Sequence, residues 1–343
     1  MLTANKHLFL LVVSKNTLLR QLHKEKIMDY IYTIVMGIVQ GLTEFLPVSS
    51  SGHLTLVQHI FGVDGESNFF VNIMLHVGTL VAVCAFYYKL IWSLIKSFFG
   101  LIRKIFTGKF SWKNRTDDEN MLFMLAIGLV PLFLLFLPVP GMDINFKDFS
   151  EIFTANKYLI VVGICLLVTS ALLWIGMACN KRTCSLGEKL GKKEKNGRTR
   201  YTVLDSLLVG ITQAVATLPG ISRSGSTLAM GEIRGINKQK AIDYTFVLGI
   251  PTILASAVLE LKDAFEVTNT SMASEVGVVP LVIGMVVSAV VGYLAIVIFK
   301  WFLKTDKMYI FAIYTAVMGI VAVVIAIIEM QSGTNIFSGE LLV

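Results

Sequence analysis

The chain has 343 residues, 55% of them hydrophobic and 15% charged, with a formal net charge of +7 and a mean hydropathy of +0.72. This composition excludes an ordinary soluble domain and points to an integral membrane protein. The positive charge does not point to nucleic acid, because the basic residues fall between apolar stretches, where the preference for cytoplasmic Lys and Arg accounts for them.

Residues 1–27 hold a short apolar core, "LFLLVV", without a small-residue cleavage site, so a secretory signal is not expected. They are set apart as an extension of doubtful role, with Met28 as a candidate original start. From there, apolar stretches long enough to cross a bilayer, about 20 residues each, are expected at 68–94, 120–138, 156–178, 238–261, 275–299 and 308–330. Two further apolar stretches, 30–62 and 204–236, are each interrupted by a cluster of Pro, Gly and Ser. Cys84, Cys165, Cys179 and Cys184 have no metal-site spacing and read as packing residues.

The loops at 95–119 and 179–203 carry six and eight Lys/Arg, whereas 139–155 and 262–275 are acid-rich. The basic loops are therefore expected on the cytoplasmic side. By counting spans, the segment from Met28 to Phe70, which has no Lys or Arg, starts on the outer side.

The two interrupted stretches align without a gap at an offset of 173 residues. "GIVQGLTEFLPVSSSG" lies over "GITQAVATLPGISRSG", matching Gly37 with Gly210, Gln40 with Gln213, Ser49 with Ser222, Ser51 with Ser224 and Gly52 with Gly225. Leu75, Thr79 and Ala82 continue the register with Leu248, Thr252 and Ala255. The expected organisation is a duplicated unit: repeat 1 over 28–178, a basic loop at 179–203, repeat 2 over 204–330 and a tail at 331–343. Three spans between the copies would place them in opposite orientations. The expected fold is thus an all-α membrane protein with six transmembrane helices and two re-entrant helical hairpins in an inverted-topology repeat.

Backbone that leaves a helix at membrane depth must be buried in protein or line a wet cavity. Gln40 and Glu44 share a helical face by their spacing of four. Pro47 ends that helix, and Ser49, Ser50 and Ser51 are suited to cap the next, which runs on through His53. In the second copy Pro219 and Gly220 make the turn, and Ser222, Arg223, Ser224, Gly225, Ser226 and Thr227 open the following helix. A helix N-terminus of this kind favours an anion such as phosphate, and Arg223 adds a permanently charged fork for phosphate oxygens. An arginine at that depth needs a partner, and Glu44 of the other copy is the expected one at rest. Glu232 and Arg234 read as a rim pair without a role. His59 and His76 read as structural or interfacial.

Together, "QGLTEFLPVSSSGHL" and "LPGISRSGST" resemble the two motifs of the undecaprenyl-diphosphate phosphatase family, in the right order and at the expected separation, with the likeness running over residues 28–330. Gln40 departs from the many relatives that carry Glu at this position, which leaves Glu44 as the only carboxylate of that pair. The resemblance implies hydrolysis of undecaprenyl diphosphate to undecaprenyl phosphate and inorganic phosphate. It implies a divalent cation, Mg2+ or Ca2+, held near Glu44 and Gln40. It also implies a bacterial plasma-membrane location and bacitracin competing for the substrate, and it admits a homodimer; the charge count along the spans is what places the opening of the site on the outer face.

Phosphoryl transfer needs a nucleophile in line and positive charge around the equatorial oxygens. Ser50 is the favoured nucleophile, with His53 or Glu44 to accept its proton; attack by His53 itself is the alternative. Ser49, Ser51, Ser222, Arg223, Ser224, Gly225, Ser226 and Thr227 are the expected phosphate-binding residues. The rival reading is a polyprenyl-phosphate flippase or anion transporter, since broken helices in inverted repeats also describe carriers.

Overall fold

The computed structural model describes residues 28–62, 69–189, 197–267 and 277–339. The N-terminal extension 1–27, residues 63–68, part of the basic loop, part of the acid-rich segment 262–275 and the last four residues lie outside these. Among the described residues there is no strand beyond two isolated bridges, Pro138 with Asn145 and Arg198 with Ile236.

The chain begins with helix α1 (28–45), then α2 (Ser50–Phe61), α3 (Phe69–Phe86), α4 (Tyr88–Phe106), α5 (Asp117–Leu129), the short α6 (Phe146–Glu151) and α7 (Leu159–Lys189). It continues through α8 (Val203–Val215), α9 (Arg223–Ile233), α10 (Lys238–Val267), α11 (Val278–Lys304) and α12 (Tyr309–Ser332). Among the described residues five helical segments are long and apolar enough to cross a membrane: Asp117–Phe136, Leu159–Ser185, Lys238–Leu261, Val278–Lys304 and Tyr309–Ser332. A sixth is added if the bent pair α3 and α4 is one span.

That pair divides the expected span at 68–94 by a bend. The chain turns by 80° between α3 and α4, so the apolar stretch is divided between two axes. α4 buries Leu94 and Leu101 but exposes Tyr88, Trp92, Phe98, Phe99 and Phe106. Lys89, Lys96 and Arg103 lie on the side of α4 opposite Leu94 and Leu101, so it is an amphipathic helix.

Helix starts are set locally. Thr116 caps α5 and Thr202 caps α8, each in a reciprocal capping box, with Glu119 and Asp205 respectively. The long helices pack through small residues, as membrane helices do where no hydrophobic force drives them together. α7 meets α12 at Gly163 and Gly319, where a Cβ on Gly163 would stand 3.0 Å from the Gly319 carbonyl oxygen. α1 meets α11 at Gly37 and Gly284, where the corresponding distance is 2.7 Å. In the second half Gly210 of α8 lies equally hard against the Gly128 carbonyl of α5. Gly37 and Gly210 are the matched glycines of the two interrupted stretches, so each copy's first helix packs on a span of the other half.

Both interrupted stretches fold as helix, break and helix: α1, 46–49, α2 and α8, 216–222, α9. Phe45 at the end of α1 and Val48 of the first break belong to the main buried core with Tyr87, Phe246 and Phe299. The base of the second element is held by Asp205, which is fully buried and accepts from Arg198 at 2.8 and 3.1 Å and from Arg234 at 2.8 Å. Arg234 therefore pairs with Asp205 and not with Glu232, which corrects the rim pair read from sequence. Burial alone would raise the Asp205 carboxyl, but hydrogen bonds from Arg198, the Thr202 backbone and Arg234 outweigh it and hold the group at about 2. His59, buried on α2, meets Glu329 of α12 at 2.8 Å and so ties the two helices together, as its structural reading requires.

Candidate active site

The two breaks touch. A Cβ on Gly52, at the start of α2, would stand 3.0 Å from the Cα of Gly220 in the other break, and one on Gly225 would stand 3.2 Å from the Pro47 side chain. Gly220 has φ of 97°, a conformation that only glycine adopts without strain, and its carbonyl accepts from the Thr169 hydroxyl of α7 at 2.9 Å. The same hydroxyl oxygen accepts from the Ser222 N–H at 2.9 Å. One threonine thus fixes both sides of the second turn.

The matched serines do matched work. Ser49 caps α2 by accepting from the Gly52 N–H at 3.2 Å, and Ser222 caps α9 by accepting from the Gly225 N–H at 3.0 Å. Ser49 Oγ lies 3.3 Å from Ser51 Oγ, and Ser222 Oγ lies 3.3 Å from Ser224 Oγ. Ser49 does this with φ of 73°, a left-handed backbone that costs a non-glycine residue of order 1 kcal/mol or more. Ser224 Oγ also donates to the Leu46 carbonyl at 3.1 Å, a hydrogen bond from the first turn of α9 to the first break.

At this junction Glu44 is buried, only 5% exposed. Its Oε1 is paired with Nη2 of Arg223, the first residue of α9. Its Oε2 accepts from Ser50 Oγ at 2.7 Å and from Gln40 Nε2 at 3.1 Å. The Arg223 side chain remains 23% exposed, so the guanidinium is reachable while its carboxylate partner is enclosed. Gln40, Glu44, Ser50 and Arg223 therefore form one connected group drawn from both elements.

His53 stands apart from that group. Its Nδ1 lies 2.8 Å from the Ser49 carbonyl and its Nε2 lies 2.8 Å from the Tyr314 hydroxyl of α12. Of the other phosphate-site candidates, Thr227 donates to the Arg223 carbonyl at 2.8 Å, and the buried Ser226 hydroxyl has no partner. Thr169 and Tyr314 were not singled out from sequence. Thr169 sits beside Ser170 and Tyr314 beside Thr315 in apolar spans, with no motif to mark either.

A divalent cation needs oxygen ligands. Gln40 Oε1 is buried without a hydrogen-bond partner, on the side chain whose amide nitrogen already bonds Glu44. That orphaned oxygen and the carboxylate are suitable donors, and a cation that keeps several waters and takes substrate phosphate oxygens needs no more from the protein. Among the described residues no cluster of three or more His, Cys, Asp or Glu could cage a metal alone.

The chain matches the model of the bacitracin resistance protein BacA over residues 33–321. A protein of Alkaliphilus metalliredigens named undecaprenyl-diphosphatase is 35% identical over 86% of this chain and 98% of its own length. Proteins of that same name from Methanosphaera stadtmanae and Bacteroides fragilis are each 33% identical, over 88% and 87% of this chain and 99% of their own length. With its apolar helices, the chain is a multi-pass membrane protein and belongs to the bacitracin resistance protein BacA family.

Proposed function

We propose that this protein hydrolyses undecaprenyl diphosphate to undecaprenyl phosphate and inorganic phosphate, and so recycles the lipid carrier of bacterial wall synthesis. The observation that carries this reading is the junction itself. A hydroxyl hydrogen-bonded to a carboxylate lies beside a partly open guanidinium at a helix N-terminus, in a chain whose relatives are named for this reaction.

The terminal phosphate docks at Arg223 and the first N–H groups of α9, where the helix dipole and the guanidinium favour negative charge. Ser50 Oγ attacks the terminal phosphorus while its proton passes to Glu44 Oε2. The bond from phosphorus to the bridging oxygen breaks, and the electron pair leaves with undecaprenyl phosphate. Water then attacks the phosphoserine, regenerating the Ser50 hydroxyl and releasing inorganic phosphate and a proton. Arg223 stabilises charge on the transferring group in both steps. Ser50 is preferred to His53 as nucleophile because Ser50 already bonds a base, whereas both His53 nitrogens are engaged elsewhere.

Mg2+ or Ca2+, held by Gln40 Oε1 and Glu44, would neutralise part of the diphosphate charge. The Glu44 oxygens already accept from Arg223, Ser50 and Gln40, so Gln40 Oε1 would be the unengaged protein ligand for such a cation.

The two helix-break-helix elements are read as re-entrant and mutually inverted, within repeats 28–178 and 204–330. The matched caps at Ser49 and Ser222 and the cross-packing of Gly37 and Gly210 support that arrangement. The site opens to the outer face of the plasma membrane, in keeping with basic loops on the cytoplasmic side. Bacitracin competes by sequestering the substrate.

Phosphate release from undecaprenyl diphosphate by purified protein in detergent, with Mg2+, Ca2+ or chelator, tests this reading. Release that depends on Arg223 supports it. No release under any metal condition would turn the reading toward a carrier of polyprenyl phosphates.

A further inference from the structure

Tyr314 belongs to α12, far in sequence from either motif, yet its hydroxyl is 2.8 Å from His53 Nε2 and its ring stacks on the imidazole at 5.5 Å and 11°. The two contacts of His53 together fix its protonation pattern. The Ser49 carbonyl can only accept, so Nδ1 carries the hydrogen that bonds it. In a neutral ring Nε2 then holds the lone pair, and the Tyr314 O–H donates to it. The tyrosine itself is 42% exposed on the outer surface of α12, whereas the imidazole is buried.

We infer that Tyr314 is a positioning residue for the reaction proposed above: its hydroxyl and ring hold His53 neutral, with Nε2 turned toward α12 and away from Ser50. This divides the labour at the junction. Glu44 alone takes the Ser50 proton. The histidine lone pair, engaged by the Tyr314 hydroxyl, is kept from the phosphorus. Because α2 carries Ser50 and His53 on one face, a histidine free to rotate would compete with Glu44 for the Ser50 hydroxyl.

The test uses the full chain in detergent and the variant Tyr314→Phe, which removes the hydroxyl and keeps the stacked ring. With histidine labelled in nitrogen-15, the His53 signals are assigned by their disappearance in His53→Gln. The wild type is expected to show a protonated Nδ1 and an unprotonated, hydrogen-bonded Nε2. In Tyr314→Phe the Nε2 signal is expected to move to the position of a nitrogen without a donor. The thermal midpoint should be kept, kcat should fall about tenfold, on the scale of one hydrogen bond, and KM should change by less than about twofold. A wild-type spectrum with the proton on Nε2, or an unchanged Nε2 signal and kcat in Tyr314→Phe, overturns the inference. If the wild type released no phosphate at all, the functional reading would fall, while the nitrogen signals would still decide whether Tyr314 holds His53.

Discussion

Glu44 at the end of α1 and Arg223 at the start of α9 form an ion pair across 179 residues of sequence. Glu44 lies at the end of its helix shortly before Pro47, Arg223 opens its helix shortly after Pro219 and Gly220, and the pair exists only because the two breaks meet. Removing either partner leaves a charge enclosed without its counterpart, which costs more than the pair itself contributes. Glu44→Gln and Arg223→Ala should each reduce phosphate release by about a hundredfold or more and lower the thermal midpoint. Arg223→Lys keeps the charge but loses the planar fork, and should recover little of the rate. Steady-state phosphate release and thermal unfolding in detergent measure both effects.

Ser50 donates to Glu44 at 2.7 Å, the geometry of a nucleophile already bonded to its base. Ser50→Ala should therefore reduce kcat by about a thousandfold and leave substrate binding measurable. Turnover retained in Ser50→Ala would move the nucleophile to His53. Rapid acid quench with a phosphorus-32-labelled terminal phosphate should trap label on the wild-type protein and none on Ser50→Ala.

Gln40 presents a neutral amide where a second carboxylate would bring more charge to a cation. Because affinity for a hard cation rises with the charge of its ligands, Gln40→Glu should lower the divalent cation concentration for half-maximal activity by about tenfold. An unchanged metal requirement would remove Gln40 from the metal site. Titrating Mg2+ or Ca2+ into chelator-treated protein makes the comparison.

Several parts of this arrangement are legible in sequence, and for identifiable reasons. Spans appear as apolar runs because hydropathy sums side chains along the chain. The same sum is blind to direction, so the turn at Tyr87 passed unnoticed within 68–94. The spacing of Lys89, Lys96 and Arg103 against Leu94 and Leu101, on the opposite side of the helix, is the available sign of an amphipathic α4. The junction of Glu44 and Arg223 was readable because two matched motifs carry complementary charges. Arg234 was misassigned to Glu232, although residues two apart on a helix do not face each other; its true partner, Asp205, lies at the other end of the hairpin. Tyr314 and Thr169 were out of reach, since one hydroxyl in an apolar helix looks the same whether it meets its own backbone or a distant turn.

Asp205 fastens the base of the second element and is held at about 2 rather than the ordinary 3.8. A carboxyl depressed in the folded state stabilises it above the unfolded pKa, and that contribution is lost as pH falls through the folded value. The difference in thermal midpoint between the wild type and Asp205→Asn should thus be constant above about pH 4. It should shrink between pH 4 and about 2, the folded value. A difference that persists unchanged to pH 2 would show that the carboxylate charge is not what holds Arg198 and Arg234.

The two breaks build one phosphate-transferring site around Glu44, Ser50 and Arg223 in the reaction proposed above. Phosphate release from undecaprenyl diphosphate by the purified wild type, set beside Arg223→Ala at equal folded concentration, tests this most directly. The account predicts metal-dependent release by the wild type and near-complete loss in the variant. Equal release by the two proteins would contradict it.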